Sequence, residues 1–223
     1  YAATVVNKVL GGGANARLFL ILREQKSWTY GAYSSLVRRR DVGQFEANTE
    51  VRTEVTDSAL TELLTQLRRV SAEPISEQEF TDAKNSLTGA FPLTIESASQ
   101  VASQVSSAKL LGLPANYVQT YRQHIATVTV ALAQAAARVA VRPQEALIVV
   151  VGDGAKIHAF TEIKQRFEWL SRHNGHDGVF THVLDRRQSK AKSCRSGREK
   201  HLAVVDVGRQ DRNAHFAAFV DVF

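Results

Sequence analysis

The chain has 223 residues, of which 44% are hydrophobic and 22% charged, a composition typical of a globular protein. It has no run of 18 apolar residues, so we predict no membrane span, and a lone Cys194 excludes an internal disulfide and a thiolate zinc cluster. Residues 1–154 hold 15 Lys and Arg against 14 Asp and Glu, whereas residues 155–223 hold 13 against 8. Most of the +6 net charge therefore lies in residues 155–223. The nearly neutral residues 1–154, the body of the chain, argue against nucleic-acid binding.

The chain opens with two predicted helices separated by a glycine triplet. Apolar residues at helical spacing predict a helix over 1–10, which ends at the glycines 11–13. A second helix is predicted over about 15–26, with Asn15 as its N-cap. Glycines before a helix can also bind phosphate, but these follow a helix and no Gly-Lys-Ser/Thr sequence follows them. We therefore expect a helix-to-helix turn.

The rest of the body predicts an α+β fold. From about residue 28 the apolar pattern has a period of two, which predicts an antiparallel hairpin with strands near 28–38 and 43–53. Five helices are then predicted over about residues 57–70, 77–90, 95–111, 117–125 and 130–140, followed by a buried strand near 145–152. Asp57 is the predicted cap of the first of these helices, and Ser76 with Glu79 forms a capping box for the second. We expect an antiparallel sheet with a helical layer on one face.

The regular pattern is lost after about residue 157. Six of the seven histidines lie from His158 onward, together with the cysteine and a basic cluster at 190–200. We predict a domain over 1–157 and a basic, atypical tail over 158–223 that is either out of frame or disordered. A genuine basic appendage is the alternative, and binding of nucleic acid or another anionic surface through 190–200 is the weakest hypothesis.

Three short motifs follow one another near the start of the chain. A helix ends in Leu-Gly-Gly-Gly, a second helix reads Ala-Arg-Leu-Phe-Leu-Ile-Leu-Arg-Glu, and a strand begins Thr-Tyr-Gly-Ala. Further on, Ile-Ser-Glu-Gln-Glu-Phe opens a helix and a strand ends in Val-Val-Val-Gly-Asp. This succession, over about residues 1–157, resembles the second half of the pitrilysin/insulinase (processing-peptidase-like) zinc metallopeptidases. Ser27 departs from the pattern, because many members have glycine there.

The resemblance implies a half-enzyme. Members consist of two similar halves around a chamber, and the first half holds zinc through a His-x-x-Glu-His motif. None of the seven histidines here has a second histidine four residues away, so we expect no metal and no catalytic residue in this chain, which is predicted to be inactive alone. The expected partners are a zinc-bearing N-terminal half or partner subunit and a peptide substrate. Members begin this half with a strand that is missing here, and many bacterial members are exported, which suggests a periplasmic or other extracytoplasmic location.

The resemblance also assigns two candidate substrate-binding residues. By motif position, the arginine and tyrosine that reach the substrate fall on Arg23 and Tyr30. A guanidinium and a phenol can donate hydrogen bonds to a peptide carbonyl or to the oxyanion formed from it. Arg23 could instead be a surface arginine paired with Glu24, and Tyr30 a half-buried strand residue. The alternative function is that of a metal-free structural relative, like the core subunits of a respiratory complex.

Overall fold

A computed structural model of the protein describes residues 1–40, 43–152, 181–185 and 213–222. The helices are α1 (Ala2–Leu10), α2 (Arg17–Phe19), α3 (Thr56–Ala72), α4 (Glu77–Ala90), α5 (Ala98–Leu110), α6 (Tyr117–Thr127) and α7 (Val130–Ala140). The strands are β1 (Thr29–Val37), β2 (Gly43–Arg52), β3 (Leu147–Gly152), β4 (Thr181–Asp185) and β5 (Asn213–Val222). None of the helices among these residues combines the length and the hydropathy that a membrane span requires.

The strands form one sheet in the order β1-β2-β5-β3-β4. Every pair is antiparallel except β3 with β4, which is parallel. Along β2 the buried residues alternate with more exposed ones, as expected for a strand whose one face is covered. The predicted α+β class, with a helical layer on one face of a mainly antiparallel sheet, is confirmed, although the parallel pair was not foreseen.

Two strands come from the segment beyond residue 157. β5 pairs with β2 from Gly43↔Val222 to Arg52↔Asn213, and its other edge pairs with β3. A strand from the end of the chain thus occupies an interior position of the sheet. Most of the 158–223 tail, including the basic cluster at 190–200, lies outside the described residues, so the domain boundary stays a prediction.

The core lies between the sheet and three helices. α3 presents a stripe of fully buried leucines, Leu60, Leu63 and Leu67, and α1 buries Val5 and Leu10 beside it. Each fully buried side chain of this kind stabilises the fold by about 1.5–3 kcal/mol. The small alanines of α7 let that helix approach α1 closely, and the buried face of the sheet contributes Ala32, Phe45, Ala47, Val51, Ile148 and Val150. This packing holds β1 firmly against α1.

Helix capping agrees with the sequence in one case and differs in two. The capping box of α4 is confirmed, because Ser76 and Glu79 exchange side-chain and backbone hydrogen bonds. The prediction that Asp57 caps α3 is wrong: a short 3₁₀ turn leads into α3 and Val55 is the N-cap, while Asp57 lies in the first turn. There its negative charge still favours the positive end of the helix. Asn15 is not a cap either, since α2 begins after Ala16.

The first turn of α4 is joined to α2 by an ion pair with two hydrogen bonds. Arg17 Nε and Nη2 donate to the two carboxylate oxygens of Glu79 at 2.5 and 2.8 Å, and the Arg17 side chain is only 12% exposed. These bonds lower the pKa of the Glu79 carboxyl from 4.5 to about 2. A carboxyl with a lowered pKa stabilises the fold above pH 4.5, and the stabilisation is lost as the pH falls toward 2.

We therefore expect Glu79→Gln to remove a pH-dependent part of the stability. The Glu79 side chain is about a third exposed, so we reduce the full linkage value to about 1–2 kcal/mol. The free energy of unfolding, measured by urea titration at pH 6 and pH 3, should fall less in the variant than in the unchanged chain. Glu77→Gln, in the same helical turn, is the control. Equal pH dependence of the Glu79 variant and the unchanged chain would contradict this expectation.

Candidate substrate-binding site

Arg23 lies on an irregular helical turn. After Phe19 the helix α2 continues as a π-helical turn over Leu20–Gln25, and Lys26 N–H donates to Ile21 C=O. π-helical turns are rare and are frequently found at functional sites. The irregular turn carries Arg23 at the end of the helix, with 45% of its side chain exposed.

A tight turn then connects this helix to β1. Ser27 N–H donates to Arg23 C=O, and Trp28 N–H donates to Leu22 C=O, both at 3.0 Å. Ser27 has φ of 52°, in the left-handed region that L-residues other than Asn and Asp rarely adopt. Glycine adopts this conformation without a steric cost.

A β-bulge follows at Tyr30. Thr29 pairs with Val51 and Ala32 pairs with Thr49, so one extra residue is present on β1. The bulge is held by hydroxyl groups: Thr49 Oγ1 donates to Gly31 C=O at 2.9 Å, and Gly31 N–H donates to Thr29 Oγ1 at 3.0 Å. Bulges redirect side chains and are common beside active sites. Tyr30 here is 90% exposed.

The two candidate residues therefore belong to a short stretch of irregular backbone. Residues 20–31 contain a π-helical turn, a serine with positive φ and a β-bulge. The half-buried position considered for Tyr30 does not occur, since its ring projects into solvent. The pairing considered for Arg23 does occur, but its Nε lies 3.5 Å from Glu24 Oε1 and both side chains are about half exposed. An ion pair of that kind contributes little to stability.

The structure adds two aromatic residues that the sequence analysis did not single out. The Arg23 guanidinium carbon lies 4.7 Å from the centre of the Phe19 ring, and the Phe19 and Tyr33 ring centres are 5.8 Å apart. The spacing of four residues between Phe19 and Arg23 on a helix could have indicated the first contact. Gly31 inside a strand could have indicated the bulge. No signal in the sequence indicates that Phe19 meets Tyr33.

The glycine triplet forms a helix-to-helix turn, as the sequence analysis expected. The N–H groups of Gly11 and Gly12 both donate to Asn7 C=O, and Gly11 C=O accepts from Ser34 N–H. These two N–H groups are used in hydrogen bonds to a carbonyl group in the last turn of α1, so they are not free to bind a phosphate.

The described residues do not fit a zinc centre. No three His, Cys, Asp or Glu side chains in that part of the chain lie close enough together to hold a metal ion. His124, on α6, stacks on the Tyr1 ring with 4.7 Å between ring centres. The pair His173 and His176 lies outside the described residues.

Comparisons with known proteins give this geometry a family context. Residues 1–87 match the family described as the peptidase M16 inactive domain. This segment of the chain is therefore similar to a peptidase M16 inactive domain. Over 139 residues the chain is 32% identical to an uncharacterized zinc protease of Mycobacterium tuberculosis, and the match covers 62% of this chain and 32% of that protein. The chain therefore spans about a third of the length of the curated relatives that it matches.

Solved structures with the same fold agree. The peptidase M16 inactive domain from Pseudomonas fluorescens is 25% identical with a TM-score of 0.59, over 64% of this chain and 34% of that one. A chain of complex III2 from Candida albicans is 19% identical with a TM-score of 0.53, over 62% of this chain and 35% of that one. The resemblance seen in the sequence is thereby confirmed.

The turn at Ser27, with its positive φ, allows a test of its geometry. We expect Ser27→Gly to raise the free energy of unfolding by about 0.5–1 kcal/mol. Glycine removes the cost of about 1–2 kcal/mol for a left-handed L-residue, less the entropy that it adds to the unfolded chain. Urea titration measures the change. Ser35→Gly, at an exposed position of β1, should lower stability instead. A loss of stability in the Ser27 variant would contradict the assigned turn.

Proposed function

We propose that this M16-like domain is the non-zinc half of a zinc metallopeptidase. It encloses the chamber and binds the peptide through Arg23 and Tyr30, while hydrolysis takes place at zinc held by a separate zinc-bearing half, on the same polypeptide or on a partner subunit. The observation that supports this role most directly is the irregular backbone of residues 20–31, which carries both side chains exposed. Strained or irregular backbone concentrates at functional sites because function, rather than stability, maintains it.

The chemistry of the two side chains suits a peptide carbonyl. A guanidinium such as that of Arg23 is a cation with planar N–H donors. Tyr30 offers one phenolic O–H donor on a rigid ring. Both can stabilise negative charge that develops on the carbonyl oxygen when it is attacked, and such donors act best when the fold already holds them in place. The bulge that directs Tyr30 outward and the helical turn that carries Arg23 support this role.

The test for Tyr30 removes only its hydroxyl group. With the zinc-bearing half supplied, we expect Tyr30→Phe to lower kcat/KM by about ten-fold, the cost of one hydrogen bond made to a partly charged oxygen. Tyr117→Phe removes the same group from α6 and serves as the control. Unchanged kcat/KM in the Tyr30 variant would show that its hydroxyl does not contact the reacting peptide.

The alternative is a structural role without peptide binding. It is favoured by the shared fold of the complex III2 chain from Candida albicans. Under this alternative, substitutions at Arg23 and Tyr30 leave turnover unchanged, while substitutions in the surface that meets the partner prevent assembly. Size-exclusion chromatography with the zinc-bearing half, run beside the kinetics, separates the two functions.

A further inference from the structure

The Arg23 side chain has few contacts that could fix its direction. Its ion pair with Glu24 joins two exposed side chains at 3.5 Å, and no other ion pair of Arg23 occurs in the described part of the chain. The face of the Phe19 ring, at 4.7 Å from the guanidinium carbon, is the more substantial contact. A guanidinium over an aromatic face is attracted by the ring and keeps its N–H donors free at the edges. The direction of Arg23 therefore depends on Phe19.

Phe19 is itself held in place. Its side chain is 5% exposed, and its ring meets the Tyr33 ring at 5.8 Å with an interplanar angle of 50°. Tilted aromatic pairs at this distance are favourable beyond the area that they bury. Phe19 is thus buried, and the aromatic contact that orients its ring is the one with Tyr33.

Tyr33 also lies across the bulge that carries Tyr30. A Cβ atom placed on Gly31 would come within 2.6 Å of Tyr33 Cε2 and 3.0 Å of its hydroxyl oxygen. A side chain at this position would require the Tyr33 ring to shift. Tyr33 therefore contacts both the ring beneath Arg23 and the backbone next to Tyr30, although 44% of it is exposed.

We propose that Tyr33, whose ring lies against the Tyr30 bulge, is a positioning residue that orients the Arg23 guanidinium through Phe19. This role rests on the proposed function in so far as Arg23 binds substrate, but the orientation of the guanidinium can be tested without it. A purely structural Tyr33 would cover Phe19 and contribute to stability without changing the environment of Arg23.

Nuclear magnetic resonance of the full chain with labelled arginine tests the orientation directly. The Arg23 side-chain signals, assigned with Arg23→Lys, should be shifted upfield by the Phe19 ring, and Phe19→Leu should abolish the shift. Tyr33→Leu should reduce the shift by about half or more, since a freer Phe19 no longer holds the guanidinium. Tyr33→Phe should preserve it, and Ser35→Ala, two residues along the same strand, is the control. Unchanged Arg23 signals in Tyr33→Leu, or in Tyr33→Ala, would overturn the proposal.

Kinetics with the zinc-bearing half then separate this proposal from the proposed function. We expect Tyr33→Leu to lower kcat/KM about two- to five-fold, to be rescued in Tyr33→Phe, and to have no further effect in an Arg23→Ala background. Additive losses in the double variant would refute action through Arg23. If Arg23→Ala does not change turnover but its signals still respond to Tyr33, the proposed function fails and the orientation by Tyr33 stands.

Discussion

Replacing Arg23 with alanine is expected to lower kcat/KM by about 100-fold in the peptidase assembled with its zinc-bearing half. The guanidinium is the only group of the proposed pair that is permanently charged, and loss of one preorganised donor to a developing oxyanion costs about 2.7–4 kcal/mol. The variant should fold normally, because 45% of the side chain is exposed and its ion pair with Glu24 is weak. Steady-state kinetics with a peptide substrate measure the effect.

Two further variants make the Arg23 result specific. Arg23→Lys keeps the charge but loses the planar donors and the contact with the Phe19 face, so we expect an intermediate loss of about ten-fold. Arg39→Ala removes an exposed arginine at the end of the hairpin and should have no effect. A decrease of less than about two-fold in Arg23→Ala would remove Arg23 from the substrate-binding site and favour the structural role.

The largest expected loss of stability comes from Gly11→Ala. A Cβ atom on Gly11 would lie 2.3 Å from the Ser34 backbone nitrogen and 2.8 Å from the Tyr33 carbonyl carbon. Neither atom can move without breaking the hydrogen bond from Ser34 N–H to Gly11 C=O, which ties α1 to β1. We expect a decrease of about 2–3 kcal/mol in the free energy of unfolding, measured by urea titration.

Gly89→Ala is the matched control for Gly11. Gly89 lies near the end of α4, and a Cβ atom there would meet nothing within 4 Å. Alanine is the better helix former by about 0.8–1 kcal/mol, so this variant should be neutral or slightly stabilising. Equal effects of the two substitutions would mean that the close approach of α1 to β1 is not required for folding. Gly11→Ala should also weaken substrate binding, because it disturbs the contact of α1 with β1, the strand that carries Tyr30.

The helices and the first hairpin could be predicted from the sequence because their signals are local. The stripe of Leu60, Leu63 and Leu67 and the capping box at Ser76 each involve residues within one or two turns, and the structure places them as expected. The predicted start of a helix was wrong where a neighbouring element shifted it. Asp57 is of a residue type that favours N-caps, but a preceding 3₁₀ turn moves the start of α3 to Thr56.

The order of motifs predicted which residues form the candidate site, but not the backbone conformation that carries them. Arg23 and Tyr30 come from the order of motifs in the chain, and their role remains a proposal. The π-helical turn, the left-handed Ser27 and the bulge at Tyr30 have no periodic pattern, because each is maintained by specific hydrogen bonds such as that from Thr49 to Gly31. Gly31 alone hinted at the bulge.

Within residues 1–152 the sequence by itself determined which segments are helical or extended and which face of each is apolar, since both depend on spacing along the chain. Only the tertiary structure decided the strand order, with β5 between β2 and β3, and the contact of Phe19 with Tyr33. Strand pairing uses backbone groups that are the same in every residue, and the choice of partner depends on packing between segments far apart in sequence. The contact of Phe19 with Tyr33 likewise joins a helix to a strand. The direction of Arg23, on which the proposed activity depends, could therefore be read only from the folded chain.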